Sequence, residues 1–111
     1  MAADNASIMD KIPDVPQDEF TVYGTVYAFP EHADALEAVY TASTRQAASE
    51  EGIIYYCISR DPDDRDVFHF FERYSGRKAF EAHVSTPLMV QLFKDKYIKE
   101  VKARFAKPIM P

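Results

Sequence analysis

Tryptophan is absent from this 111-residue chain, cysteine occurs once and glycine three times. The lone Cys57 excludes an intramolecular disulfide. No apolar run is long enough for a signal-peptide core or a membrane span, so the expected setting is reducing and cytoplasmic, with no membrane partner. Gly24, Gly52 and Gly76 are too dispersed to form a Gly-rich phosphate loop, so neither a nucleotide nor a flavin is expected and the sequence asks for no cofactor. His32, His69 and His83 are scattered, without carboxylate or cysteine partners at ligand spacing, which argues against a metal site. Basic patches interleaved with aromatics are also missing. The richest basic run, Lys94 to Lys107, alternates with apolar residues at strand spacing and reads as a solvated face, so nucleic acid is not an expected partner.

What the chain does have is apolar and aromatic mass. At 47% apolar and 14% aromatic residues, a chain of this length forms one compact domain rather than two. Its acidity is local: residues 1–19 carry a net −4 of the total −5, leaving the remainder near neutral. Residues 1–18, polar and interrupted by Pro13 and Pro16, are expected to be a flexible acidic arm ahead of a folded domain over 19–111. Ile8, Met9, Ile12 and Val15 offer the alternative of a short strap docked on a neighbouring subunit.

Periodicity supplies the elements. Phe20 to Phe29 alternates Val22, Gly24, Val26 and Ala28 against Thr21, Tyr23, Thr25 and Tyr27, a first strand whose small-residue face suits close helix approach. Pro30 opens a helix to about Glu50, with Ala33, Leu36, Val39, Tyr40, Ser43 and Ala47 at three- and four-residue steps and Gly52 as its end signal. Ile53 to Arg60 is a second strand, joined through the Asp61-Pro62-Asp63-Asp64 turn to a third over Val67 to Tyr74. On that third strand Phe68, Phe70, Glu72 and Tyr74 share one face, and Val67, His69, Phe71 and Arg73 the other. Ser75 suits the N-cap of a helix carrying Ala79, Phe80 and His83 on one stripe. Ser85-Thr86-Pro87 starts another helix, with Leu88, Met89, Leu92, Phe93 and Tyr97 as its buried stripe, and Ile98 to Lys107 is the last strand.

Strand, helix, strand, strand, split helix, strand is the order of an α+β ferredoxin-like domain: a four-stranded antiparallel sheet with helices on one face. The second face would carry residues too apolar for water, from which sheet-to-sheet homodimerisation is inferred. The stretches FTVYGTVYAFP, EEGIIYYCISRDPDD, FHFFERYS and AFEAHVSTP, spread over residues 20–107, resemble the antibiotic biosynthesis monooxygenase family, whose members are dimeric α+β barrels. The family includes cofactor-independent oxygenases of quinols and polyketide phenols, haem-degrading enzymes and many members without an assigned substrate. The position after the Glu-Arg pair, often Trp in the family, is Tyr74 here. Haem-degrading members rely on an Asn, a Trp and a His on the later helix, and this chain offers no matching set.

The candidate site rests on the stripe and the resemblance together. His83, in the family-like AFEAH run, is the candidate base or proton relay. Tyr74 is the hydrogen-bond donor to a developing oxyanion, and Glu72, alternating with Phe68 and Phe70, is the group that orients them. Tyr23, Phe70, Phe93 and Tyr97 are the aromatics expected to bind a planar substrate. The expected activity is cofactor-independent oxidation of a small quinol, phenol or polyketide-like aromatic. The alternatives are a non-catalytic dimeric module for a small apolar ligand, or isomerase, cyclase or decarboxylase work without dioxygen.

Overall fold

The computed structural model describes residues 14–111. Period-two alternation becomes β1 (Phe20–Ala28), and Pro30 starts a single 3-10 turn, Pro30–His32, before the helix α1 (Ala33–Ala47). The hairpin comes next as β2 (Ile53–Arg60) and β3 (Val67–Tyr74), then α2 (Arg77–Val84), α3 (Pro87–Lys94) and β4 (Ile98–Ala106). The four strands form one antiparallel sheet in the order β2-β3-β1-β4, the ferredoxin-like arrangement. Asp61 Oδ1 accepts the amides of Asp63 and Asp64 at 2.9 and 3.0 Å, which is why an acidic, proline-containing turn closes the hairpin.

One face of the sheet is covered by the helices. Ala33, Leu36, Tyr40, Ser43 and Ala47 of α1 are buried at the spacing the sequence predicts, the first three in one cluster with Val26, Ala28 and Phe68 of the sheet. A second cluster joins Phe20, Val22, Tyr74 and Phe80, with Phe20 stacked on Tyr74 at 5.6 Å and Tyr74 edge-on to Phe80 at 5.3 Å. The other face carries Tyr23, Phe71 and Tyr55, which are 41%, 45% and 52% exposed, so in a single chain three large aromatics lie uncovered side by side. Phe71 touches both tyrosines, at 6.4 and 5.9 Å between ring centroids.

The structure corrects several local expectations. Ser75 does not cap α2: the N-cap is Gly76, without a side-chain bond, and the amide of Arg77 donates to the carbonyl of Gln17. A Cβ at Gly76 would lie 2.4 Å from that carbonyl, so the segment before β1 satisfies the helix start and needs glycine to approach it. Of the expected arm, residues 1–13 lie outside the described residues, and within 14–18 the backbone carbonyls of Val15 and Gln17 accept hydrogen bonds from Arg77. The Arg77 guanidinium donates to the carbonyl of Val15, and Val15 packs on the Phe20, Tyr74 and Phe80 cluster. Gly24 serves the sheet rather than the helices, because a Cβ there would sit 1.9 Å from the carbonyl oxygen of Lys102 in β4. Thr86 does cap α3, accepting from the Met89 amide, with Pro87 in the first turn.

Candidate functional site

Between the sheet and the three helices lies a cavity of about 90 Å³. Its lining includes Tyr56 of β2, Phe70 and Glu72 of β3, His83 of α2, Phe93 of α3 and Val101 of β4. Alternation on β3 turns Phe70 and Glu72 inward, and the short α2 lays His83 over them. His83 is only 2% exposed.

A buried imidazole needs a partner, and Glu50 supplies it. Both of its carboxylate oxygens lie near Nδ1 of His83, at 3.0 and 3.2 Å. The carboxylate is held from the other side by the Gln46 side-chain amide at 3.2 Å. Local folding brings them together. After α1 ends at Ala47 the chain turns through Gly52 at φ +91°, where a Cβ would meet that of Ala79 at 2.6 Å, so the turn is pressed against α2. In a neutral ring, the carboxylate on Nδ1 keeps the proton there and leaves Nε2 as the proton acceptor.

Glu72 forms the second polar unit. The Tyr74 hydroxyl donates to its Oε1 at 2.5 Å. Burial raises the Glu72 carboxyl to about 7; the Tyr74 hydrogen bond opposes that rise and the nearby Glu50 charge adds to it. The Tyr74 phenol is pushed far up, first by burial and then by the Glu72 charge, so it stays a donor. Tyr56 meets the edge of the His83 ring at 5.1 Å, and its hydroxyl is 2.9 Å from Ser43 Oγ. Burial and the Glu72 charge raise its phenol as well.

The structure brings together Glu72, His83, Phe70 and Phe93 of the residues expected from sequence. Tyr74 does not line the cavity. It is fully buried in the aromatic cluster and reaches the site through Glu72, with its ring 5.9 Å from that of His83. Tyr23 lies on the opposite face of the sheet, because odd and even positions of β1 face opposite ways, and there it stacks on Phe71. Tyr97 lies beyond the end of α3 rather than within it, and packs on His32 at 5.2 Å, outside the cavity. Glu50 escapes a reading by sequence alone, since a polar residue just past a helix end has no periodic signature; its one signal is its place two residues before the helix-ending Gly52. Among the described residues, no group of three or more His, Cys, Asp or Glu side chains is arranged to hold a metal ion, and no helix is long and apolar enough to cross a membrane.

The fold, with a largely apolar cavity that has Glu72 and His83 on its wall, defines a ferredoxin-like α+β domain. Residues 19–95 match the antibiotic biosynthesis monooxygenase family, and the chain belongs to it. Solved structures share the fold. A protein from Pseudomonas aeruginosa superposes with a TM-score of 0.75 at 24% identity, over 85% of this chain and 97% of its own. One from Shewanella oneidensis gives 0.70 at 16%, over 83% and 92%. A protein named antibiotic biosynthesis monooxygenase gives 0.72 at 18%, over 82% and 99%. No curated protein matches the chain.

Proposed function

We propose that the protein is a cofactor-independent monooxygenase of a small aromatic diol. The observation that carries this reading is the Glu50-His83 pair, in which Glu50 occupies Nδ1 of a histidine that lines a largely apolar cavity together with Glu72. His83 takes the proton of a phenolic hydroxyl, and Glu50 stabilises the imidazolium that results. The electron-rich anion passes electrons to dioxygen. One oxygen atom ends on the ring as a hydroxyquinone and the other leaves as water, with both hydrogens supplied by the diol. The protein contributes orientation, exclusion of water and control of protons. Tyr74 acts as a positioning residue through Glu72. A second copy of the chain covers the Tyr23, Phe71 and Tyr55 face, making a homodimer.

One observation favours a second reading: Glu72, with its carboxyl near 7, can hold a proton beside a base, the pairing that a proton-shuttling isomerase needs without dioxygen. Oxygen-electrode traces with a hydroquinone panel, with and without chelator, separate the two. Chelator-insensitive oxygen uptake matched to substrate loss is expected. Substrate isomerised without oxygen uptake favours the second reading, and a panel left unchanged by the protein overturns both.

A further inference from the structure

The chemistry of the cavity wall narrows what it accepts. Its polar side chains, Tyr40, Tyr56, Glu72 and His83, come from α1, β2, β3 and α2, whereas α3 and β4 contribute only apolar groups such as Leu92, Phe93 and Val101. Among the described residues no lysine or arginine lines it. The charged groups at its polar end are acidic: Glu72 faces the cavity and Glu50 lies directly behind His83. A carboxylate, sulfate or phosphate entering here would lose its hydration and meet carboxyl groups with no lysine or arginine to answer its charge. An uncharged hydroxyl meets what it needs, an acceptor at His83 Nε2 and a carboxyl at Glu72.

Size sets a second limit. A cavity of roughly 150 Å³ holds one benzene ring, and this one measures about 90 Å³. Flexible lining such as Met89 can yield enough for one ring. Of two fused rings, the second would have to lie in the open mouth of the cavity or push the helices away from the sheet.

We propose, with the monooxygenase reading supplying the chemistry after binding, that this pocket selects an uncharged, single-ring diphenol and rejects anionic aromatics, with Glu72 as the residue that sets the charge preference. The hydroxyl end sits between His83 and Glu72, and the ring lies between Phe70 and Phe93.

Anaerobic isothermal titration of the full chain, which reads binding without turnover, tests this with three probes: hydroquinone, 2,5-dihydroxybenzoate and 1,4-dihydroxynaphthalene. Hydroquinone is expected to bind at least tenfold more tightly than either of the others. Glu72→Gln should shrink the gap to dihydroxybenzoate severalfold, and Phe93→Ala should shrink the gap to dihydroxynaphthalene. Equal or tighter binding of dihydroxybenzoate by the wild type overturns the charge preference, equal binding of the naphthalene diol overturns the size limit, and no binding of hydroquinone overturns the whole inference. Hydroquinone that binds with this selectivity but consumes no oxygen upon admission of air leaves the inference standing and removes the monooxygenase reading. Dihydroxybenzoate bound equally well and oxidised does the reverse.

Discussion

Glu50 and His83 form a carboxylate-imidazole pair with both oxygens within 3.2 Å of Nδ1, although 33 positions separate them in the chain. If the pair works as proposed, the charge of Glu50 matters more than its shape. Glu50→Gln keeps the volume and loses the anion, so turnover of a diphenol should fall by about tenfold or more while the melting temperature stays near that of the wild type. Unchanged turnover in a folded Gln variant would reduce Glu50 to a packing partner.

Glu72 makes stability depend on pH in a definite direction. Its folded carboxyl sits near 7 against an ordinary 4.5, so the folded state holds a proton that the unfolded chain has released across that window. The stabilisation is complete below about 4.5 and is lost as pH rises through 7, an effect of roughly 3 kcal/mol at most. Urea midpoints measured from pH 4.5 to 8 should show Glu72→Gln gaining on the wild type as pH increases. Parallel curves for the two proteins would mean that water or a counter-ion relieves the burial.

The segment that precedes β1 is expected to act as a strap. Arg77 binds the Val15 carbonyl and the Arg77 amide meets Gln17, so deleting residues 1–18 removes partners from the start of α2 and uncovers part of the Phe20 and Phe80 cluster. A loss of about 1 to 3 kcal/mol is expected, equivalent to a fall of at least about 4 °C in Tm by calorimetry. Arg77→Ala should reproduce part of it. A truncated chain that melts with the full one would show the strap to be dispensable.

The strands, their hairpin and the helix stripe of α1 are legible in the sequence because burial imposes period two on β1 and β3 and steps of three and four on Ala33 through Ala47. Their order then gives the fold class. The features that escape depend on tertiary approach. Nothing in the local sequence says that Gln17 will meet the start of α2, so Ser75 looks like the cap. Likewise, the place of Tyr97 depends on where α3 stops, and the partner of His83 comes from a turn in another part of the chain. Tyr23 is the one avoidable miss, since the alternation of β1 already puts it opposite Val22 and Val26.

The exposed aromatic face bears on assembly. Phe71 lies between Tyr23 and Tyr55 with nearly half its surface in water. A two-fold contact through this face would place Phe71 of both copies in the buried zone, so Phe71→Asp should convert a dimer into a folded monomer in sedimentation equilibrium at micromolar concentration. A wild-type protein that is already monomeric there would rule out this interface.

His83 and Tyr74 sit close together but have different duties. His83 touches the cavity, so His83→Ala should lower turnover by about 10²-fold or more, and added imidazole should restore part of it by occupying the vacated space. The same change leaves the Glu50 carboxylate without its buried partner, which should also destabilise the fold by about 1 to 3 kcal/mol; activity is therefore compared per folded molecule. Tyr74 donates only to Glu72, and its removal should act differently. Tyr74→Phe keeps the ring in the Phe20 and Phe80 cluster but withdraws the hydrogen bond that holds the Glu72 carboxyl down, so that carboxyl should titrate above 7, as tracked by carbon NMR of the side chain. The activity profile on the alkaline side should move with it. If Tyr74→Phe shifts neither the titration nor the profile, Tyr74 is a core aromatic alone. Should His83→Ala keep full turnover when folded, the base lies elsewhere in the cavity, and Glu72 becomes the group to substitute next.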